Sequence, residues 1–147
     1  MFSGGGPIPR GIRFAAGLIA SLVGALVLWL AIRISLGEAE GATDDPTIAY
    51  IFAVAMLAIG LTVFIGAIVG VGDSGERPAG MSRPTRILLD ALGHVFGFAF
   101  AAMMAFWALA PGTPLIARVG FGFFALLIGG GSAYALIDAI RTSLSRR

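Results

Sequence analysis

The chain has 147 residues, of which 58% are hydrophobic and only 12% charged, and its formal net charge is +2. About a quarter of the residues in a soluble domain are charged, so this composition, with a mean hydropathy of +0.95, excludes an ordinary water-soluble fold. The absence of cysteine excludes disulfides and thiolate metal sites, and the dispersed arginines form no basic stripe, so we expect no nucleic-acid partner.

Four apolar runs follow one another, and each exceeds the roughly 20 helical residues that cross about 30 Å of hydrocarbon. Their predicted limits are residues 12–36, 48–71, 87–110 and 115–137. Because unpaired backbone groups are costly in lipid, each run is predicted to be an α-helix. We therefore expect an all-α integral membrane protein, a four-helix bundle that forms a single transmembrane domain over residues 1–147.

The connections carry residues typical of helix ends. Asp45 before Pro46 and Thr113 before Pro114 are predicted to cap the second and fourth helices, since proline suits the first helical position. The very short turn between the last two runs predicts an antiparallel hairpin, and the first two runs predict another. Glycines and prolines between residues 72 and 86 predict a flexible loop.

The arginines predict the orientation. Eight of them fall on one side of the predicted spans, and only Arg33 and Arg118 fall on the other. The side richer in arginine stays in the cytoplasm, so we expect a multi-pass protein of the inner (plasma) membrane with both termini and the 72–86 loop in the cytoplasm. Trp29 and Trp107 fall near the opposite interface, where aromatic rings favour the headgroup region. These two tryptophans and two arginines are the predicted interface anchors, and the alternative for Arg118 is a cation–π contact with Trp107.

Small residues recur at helical spacing in every run, and helices in lipid associate through such residues. The predicted packing residues of the last two helices are Gly93, Gly97, Ala101, Ala105 and Gly129. If the 111–114 turn sets the register, Gly131 lies level with His94.

Two ionisable residues, Asp90 and His94, lie four apart in the third run and therefore on one face of its helix. At 1.5 Å per residue, His94 lies about 10 Å inside the span, too deep to reach the interface easily. A structural hypothesis is that the two side chains pair with each other, with Ser132, Tyr134 or Arg86 completing the network.

A functional hypothesis for the same residues is a proton or ion site, because ionisable groups inside a membrane often mark a pathway. In that case Asp138 and Arg141 would join Asp90 in a polar vestibule with His94 at its depth. A third hypothesis is that His94 supplies one axial ligand to a haem.

No enzyme motif accompanies these residues. The glycine-rich run at 70–75 lacks the lysine of a phosphate loop, so we expect no catalytic residue, no metal site and no cofactor. The expected function is a small non-catalytic accessory or scaffold subunit, which lies in the lipid bilayer and packs with itself or with a larger membrane complex. The alternative is a small proton-linked transporter or channel that uses Asp90 and His94.

Overall fold

A computed structural model describes residues 8–38, 46–72 and 75–145 of the chain. These residues form four helices: α1 (Arg10–Ser35), α2 (Thr47–Val69), α3 (Arg83–Leu109) and α4 (Leu115–Ser145). No strand occurs within the described ranges. All four helices are long and apolar enough to cross a membrane, so the prediction of an all-α chain with four such helices is confirmed.

The helices pack in a row rather than around a common centre. α1 contacts α2, α2 contacts α3 and α3 contacts α4, and no other pair of helices touches in the part of the chain that the structure describes. The architecture is thus an open row in which each helix contacts only its neighbours along the chain, and its four apolar helices are compatible with the predicted transmembrane helical bundle. The physical reason for the open row is that lipid tails solvate apolar side chains as well as another helix does, so no apolar face has to be enclosed.

The row of helices has two ends of different composition. The arginine-rich end carries the first residues of α1 and α3 and the last residues of α2 and α4. The turn end carries residues 36–38, residue 46 and residues 110–114, which lie at the connections within the two hairpins.

The α1–α2 contact is made by glycines that bring the two backbones together. Gly24 of α1 and Gly60 of α2 are both buried. A Cβ atom added at Gly24 would lie 2.8 Å from the backbone nitrogen of Leu57, and one added at Gly60 would lie 2.5 Å from that of Ser21. Real Cβ atoms do not approach other atoms so closely. Only glycine therefore fits at these two positions, and Gly17 makes a third contact of the same kind.

The α3–α4 contact also uses small residues, but in a register about one helical turn away from the predicted one. The Ser132 hydroxyl lies against Gly97, and a Cβ atom added at Gly129 would lie 3.4 Å from the Cβ of Ala101. The predicted register instead placed Gly131 level with His94, and a Cβ atom at Gly131 would meet nothing within 4 Å. Turn length alone therefore did not determine the register.

The predicted packing stripe of α3 only partly lies in a helix contact. Gly97 and Ala101 are buried, whereas Gly93 is exposed and a Cβ atom there would meet nothing within 4 Å. Ala105 is half-buried. The correction at Gly93 has a geometric cause, because residues four apart drift by about 40° per step around a helix with 3.6 residues per turn. A stripe of four such residues cannot stay against one neighbour.

An open apolar groove of about 420 Å³ lies between α2 and α3. It is lined by Tyr50, Ile51, Val54, Val95, Phe98 and Ala99. No charged side chain is among these residues, so the groove suits hydrocarbon and offers no polar binding site.

Arginines from the start of α1 close the last turn of α2. The Arg10 guanidinium donates to the carbonyl oxygens of Ala67 and Ile68, and Nη1 of Arg13 donates to the carbonyl oxygen of Val71 at 2.6 Å. The last carbonyls of a helix have no partner within it, and a cation is favourable at that end of the helix dipole. These two arginines therefore join α1 to α2 at the arginine-rich end.

The other helix ends use short-range signals. Gly70 ends α2 in the left-handed conformation with φ 81°, and the Ser82 side chain caps the start of α3. Thr113, which we predicted to cap α4, instead donates its hydroxyl to the Trp107 carbonyl oxygen at 3.0 Å and so closes α3. The predicted cap at Asp45 lies outside the described residues.

Candidate functional site

The ionisable residues of α3 lie near the arginine-rich end, where Asp90 forms an ion pair. Nη2 of Arg77, in the connection before α3, donates to Oδ1 of Asp90 at 2.5 Å. This hydrogen bond raises the pKa of the Arg77 guanidinium, against the smaller lowering effect of its partial burial. The side chains of Arg77 and Asp90 are 37% and 46% exposed, so the pair lies at the rim of the helix layer rather than inside it.

His94 lies one turn further along α3 and bonds to the backbone. Its Nδ1 lies 2.5 Å from the carbonyl oxygen of Asp90. A carbonyl oxygen only accepts, so Nδ1 carries the proton and donates it. Nε2 of His94 is buried and has no hydrogen-bond partner among the residues that the structure describes. In the neutral ring, Nε2 is therefore an acceptor without a donor.

The predicted pairing of the Asp90 and His94 side chains does not occur in this geometry. The carboxylate turns outward to Arg77, and the imidazole takes the Asp90 carbonyl oxygen instead. The cause is the reach of Arg77, whose charged, flexible side chain supplies a stronger partner for a carboxylate than a neutral imidazole does.

The two α4 residues of the predicted polar site are not part of this arrangement. Ser132 lies against Gly97, nearer the middle of α3 than His94 is. Asp138 is exposed on α4, and it forms no ion pair with another described residue. No described ion pair joins Asp138 or Arg141 to Asp90, so the polar vestibule expected from these three residues stays a prediction.

The predicted interface anchors pair differently from expectation at the turn end. The Arg33 guanidinium lies over the Trp29 ring, 5.1 Å from its centroid, and Nε of Arg33 lies 3.3 Å from Oε2 of Glu38. Trp107 packs against Phe121 with ring centroids 5.6 Å apart. The cation–π contact is therefore made by Arg33 and Trp29.

Arg118, the other half of the alternative cation–π pair, is exposed. The shift of α4 by about one turn places Phe121 beside Trp107, where the predicted register placed Arg118. One register error therefore accounts for both the lost contact and the new one.

The chain matches no protein-family model, no curated protein and no solved structure. The possible chemistry of Arg77, Asp90 and His94 must therefore be inferred from their geometry alone. Within the described ranges no three His, Cys, Asp or Glu side chains come close enough to hold a metal ion together.

Three arginines with structural partners were missed by the sequence reasoning. Arg77 lies in an irregular connection. Because such a segment has no periodic pattern, the sequence did not indicate where the Arg77 side chain lies or that it pairs with Asp90. Arg10 and Arg13 carried a usable signal, because two arginines three residues apart begin α1 opposite the end of α2. Cations commonly stabilise the last carbonyls of a helix.

Among the described residues, Arg77, Asp90 and His94 form one polar cluster near the arginine-rich end. Nε2 of His94 is a base that no described donor occupies, and the charge of Asp90 is already balanced by Arg77. A nucleophile would need a hydroxyl or thiol hydrogen-bonded to that base. None of the described residues provides one.

Proposed function

We propose that the chain is a non-catalytic subunit of an inner-membrane assembly, in which its helices provide faces for a partner. The observation that carries this proposal is the open row of helices. The span of α4 contains no buried residue, against 33% buried in the span of α2. A helix with one neighbour and a long unpartnered face is available for packing between chains.

The chemistry of the chain supports the same function. Its central groove is lined by apolar residues and one tyrosine, and its ion pair at Arg77 and Asp90 joins a loop to a helix. These contacts position elements of the chain, and the groove between α2 and α3 lacks the convergent polar groups that small-molecule sites normally have.

The proposed topology places the arginine-rich end in the cytoplasm. Arg10, Arg13, Arg77, Arg83 and Arg86 all lie at that end of the row, and a cytoplasmic location follows the positive-inside rule. Labels of defined accessibility at either terminus test this orientation, and a terminal label that reacts from the periplasm in intact cells would contradict it.

The experiment that tests the subunit function is purification in a mild detergent, followed by mass measurement of the particle and identification of every chain in it. We expect a particle heavier than one chain with its detergent. A particle of one chain only, both in detergent and in vesicles at low protein-to-lipid ratio, would contradict the proposal.

A second candidate function, proton-linked transport, is favoured by one observation: Nε2 of His94 is buried and has no hydrogen-bond partner in the described part of the chain. A base at this position in a membrane can bind and release a proton. The test is proton flux into proteoliposomes that carry a pH-sensitive dye. Transport predicts that His94→Phe abolishes flux while the protein remains folded, and that Ser132→Ala, the matched control, keeps it. Equal flux in the wild type, in the His94→Phe variant and in empty vesicles would exclude this function.

A further inference from the structure

The face of α4 that points away from α3 packs against no other described helix. Residues that contact α3, such as Phe121 and Gly129, lie on one side of the helix. The opposite side, which we call the α4 outer face, carries Phe123, Leu127, Gly130, Tyr134, Asp138 and Arg141. All six are exposed, and at 100° per residue they lie within about 40° of one line along the helix.

Exposure of apolar residues alone does not identify what covers this face, because lipid can do so at no cost. The charged end of the face is more informative. Asp138 and Arg141 are both exposed, carry opposite charges and lie three residues apart. Neither of them forms an ion pair with any residue that the structure describes. Each chain therefore presents one anionic and one cationic side chain on this face. A second copy presents the same two charges, so the anion of one chain can pair with the cation of the other.

Symmetry makes the remainder of the face self-complementary. Two copies that share one orientation in a membrane are related by a two-fold axis along the membrane normal, so equivalent residues of the two chains lie at the same depth. Asp138 and Arg141 differ in depth by only about 4.5 Å, since each residue rises 1.5 Å along a helix. In such an isologous contact, Asp138 of each chain reaches Arg141 of the other. Gly130 lies near the middle of the face, and a Cβ atom there would meet nothing within 4 Å. Its missing side chain allows the two helices to approach closely.

We propose that a second copy of this chain docks on the α4 outer face and forms a parallel two-fold dimer with two Asp138–Arg141 ion pairs at its arginine-rich end. This inference rests on the proposed subunit function and names the partner. It also explains why the row is open, since the dimer continues the layer through α4 of the second copy.

The first test is disulfide crosslinking in vesicles, for which the cysteine-free chain is a suitable background. Leu127→Cys, on the outer face, and Leu126→Cys, its neighbour about 100° around the helix, are a matched pair that is 57% and 79% exposed in the wild type. We expect a crosslinked dimer for Leu127→Cys and Gly130→Cys and none for Leu126→Cys. Equal crosslinking of Leu126→Cys and Leu127→Cys would overturn the inference.

The second test exchanges the charges at positions 138 and 141. Its readout is the fraction of labelled protein that is dimeric in vesicles. Asp138→Arg places like charges on both chains and is expected to weaken association about tenfold, which corresponds to two surface ion pairs changed from attraction to repulsion. The double variant Asp138→Arg/Arg141→Asp restores opposite charges and is expected to restore the dimer. A double variant as weak as the single one would overturn the proposed pairing.

The outcomes separate this inference from the proposed function. A monomer that co-purifies with a different chain overturns the dimer and keeps the subunit function. A dimer that crosslinks instead through Leu22→Cys, on the exposed face of α1, overturns the α4 interface alone. A monomer without any partner overturns both.

Discussion

The guanidinium of Arg77 lies 2.5 Å from the carboxylate of Asp90, so an ion pair joins the connection before α3 to the helix itself. This contact replaces the expected bond between Asp90 and His94, whose Nδ1 bonds to the Asp90 carbonyl oxygen and whose Nε2 has no partner among the described residues. The cluster therefore has a positioning part, which holds the loop, and a free base beside it.

The ion pair is predicted to hold the loop with little effect on the stability of the fold. Because both side chains are substantially exposed, the coupling in a double-mutant cycle of Arg77→Ala and Asp90→Ala should be about 0.5 kcal/mol and should shrink in high salt. Thermal unfolding in detergent at two salt concentrations measures it. Arg83→Ala, which removes an exposed arginine that has no described ion-pair partner, is the control and should show no coupling to Asp90→Ala.

The contact of α1 with α2 is predicted to be the least tolerant of added volume. A methyl group at Gly60 would meet the backbone of Ser21, which cannot rotate away, so Gly60→Ala should destabilise the protein by about 1–3 kcal/mol or separate the two helices. At Gly11, a methyl group would meet nothing within 4 Å. Gly11→Ala should therefore be neutral or slightly stabilising because alanine favours helix. Similar unfolding midpoints for the two variants would contradict the close backbone contact.

The helices themselves could be predicted from the sequence, whereas their arrangement could not. Length and hydropathy identify a membrane-spanning helix almost independently of its neighbours, and the four predicted spans correspond to α1 to α4. Small residues occur on every helix, and lipid does not penalise an unpaired face, so composition did not distinguish a closed bundle from an open row. The predicted stripe of α3 was the longest packing signal in the sequence, yet the closest backbone contacts are made by Gly17 and Gly60.

The polar site was located by the sequence but its contacts were not. Asp90 and His94 could be identified because they are ionisable residues, four apart, within an apolar run. Their partners depend on tertiary placement: Arg77 comes from an irregular connection, and Ser132 moves to Gly97 with the one-turn shift of α4. A turn of four residues constrains which helices are neighbours but does not fix their register, which places Phe121 against Trp107 and Ser132 against Gly97.

The register of α3 against α4 predicts opposite effects of one substitution at two glycines one turn apart. Leucine at Gly97 would displace Ser132, whereas leucine at Gly93 would extend into open space. Gly97→Leu should therefore cost about 1–3 kcal/mol by overpacking, and Gly93→Leu should leave the stability unchanged or raise it through helix propensity. Unfolding by a denaturing detergent compares them. A larger loss for Gly93→Leu would restore the register predicted from the turn length.

The capping of α2 by Arg10 is predicted to be local and to depend on the shape of the guanidinium. Arg10 donates to two successive carbonyl oxygens, those of Ala67 and Ile68. Arg10→Ala removes both hydrogen bonds and the cation at the end of the helix dipole, which together should cost about 1 kcal/mol. Arg10→Lys keeps the charge but cannot reproduce the fork of donors, so its effect should be intermediate.

Hydrogen exchange of the amides in the last turn of α2 measures this effect where it acts. Fraying of that turn should speed exchange most in Arg10→Ala, less in Arg10→Lys and not at all in Arg118→Ala, which removes an exposed arginine at the other end of the row. Because the carbonyls lie at the end of the span, water can replace part of the lost bonding, and the remainder of α2 should keep its protection. Loss of protection along the whole of α2 would instead mean that Arg10 holds α1 and α2 together, with capping as a minor contribution.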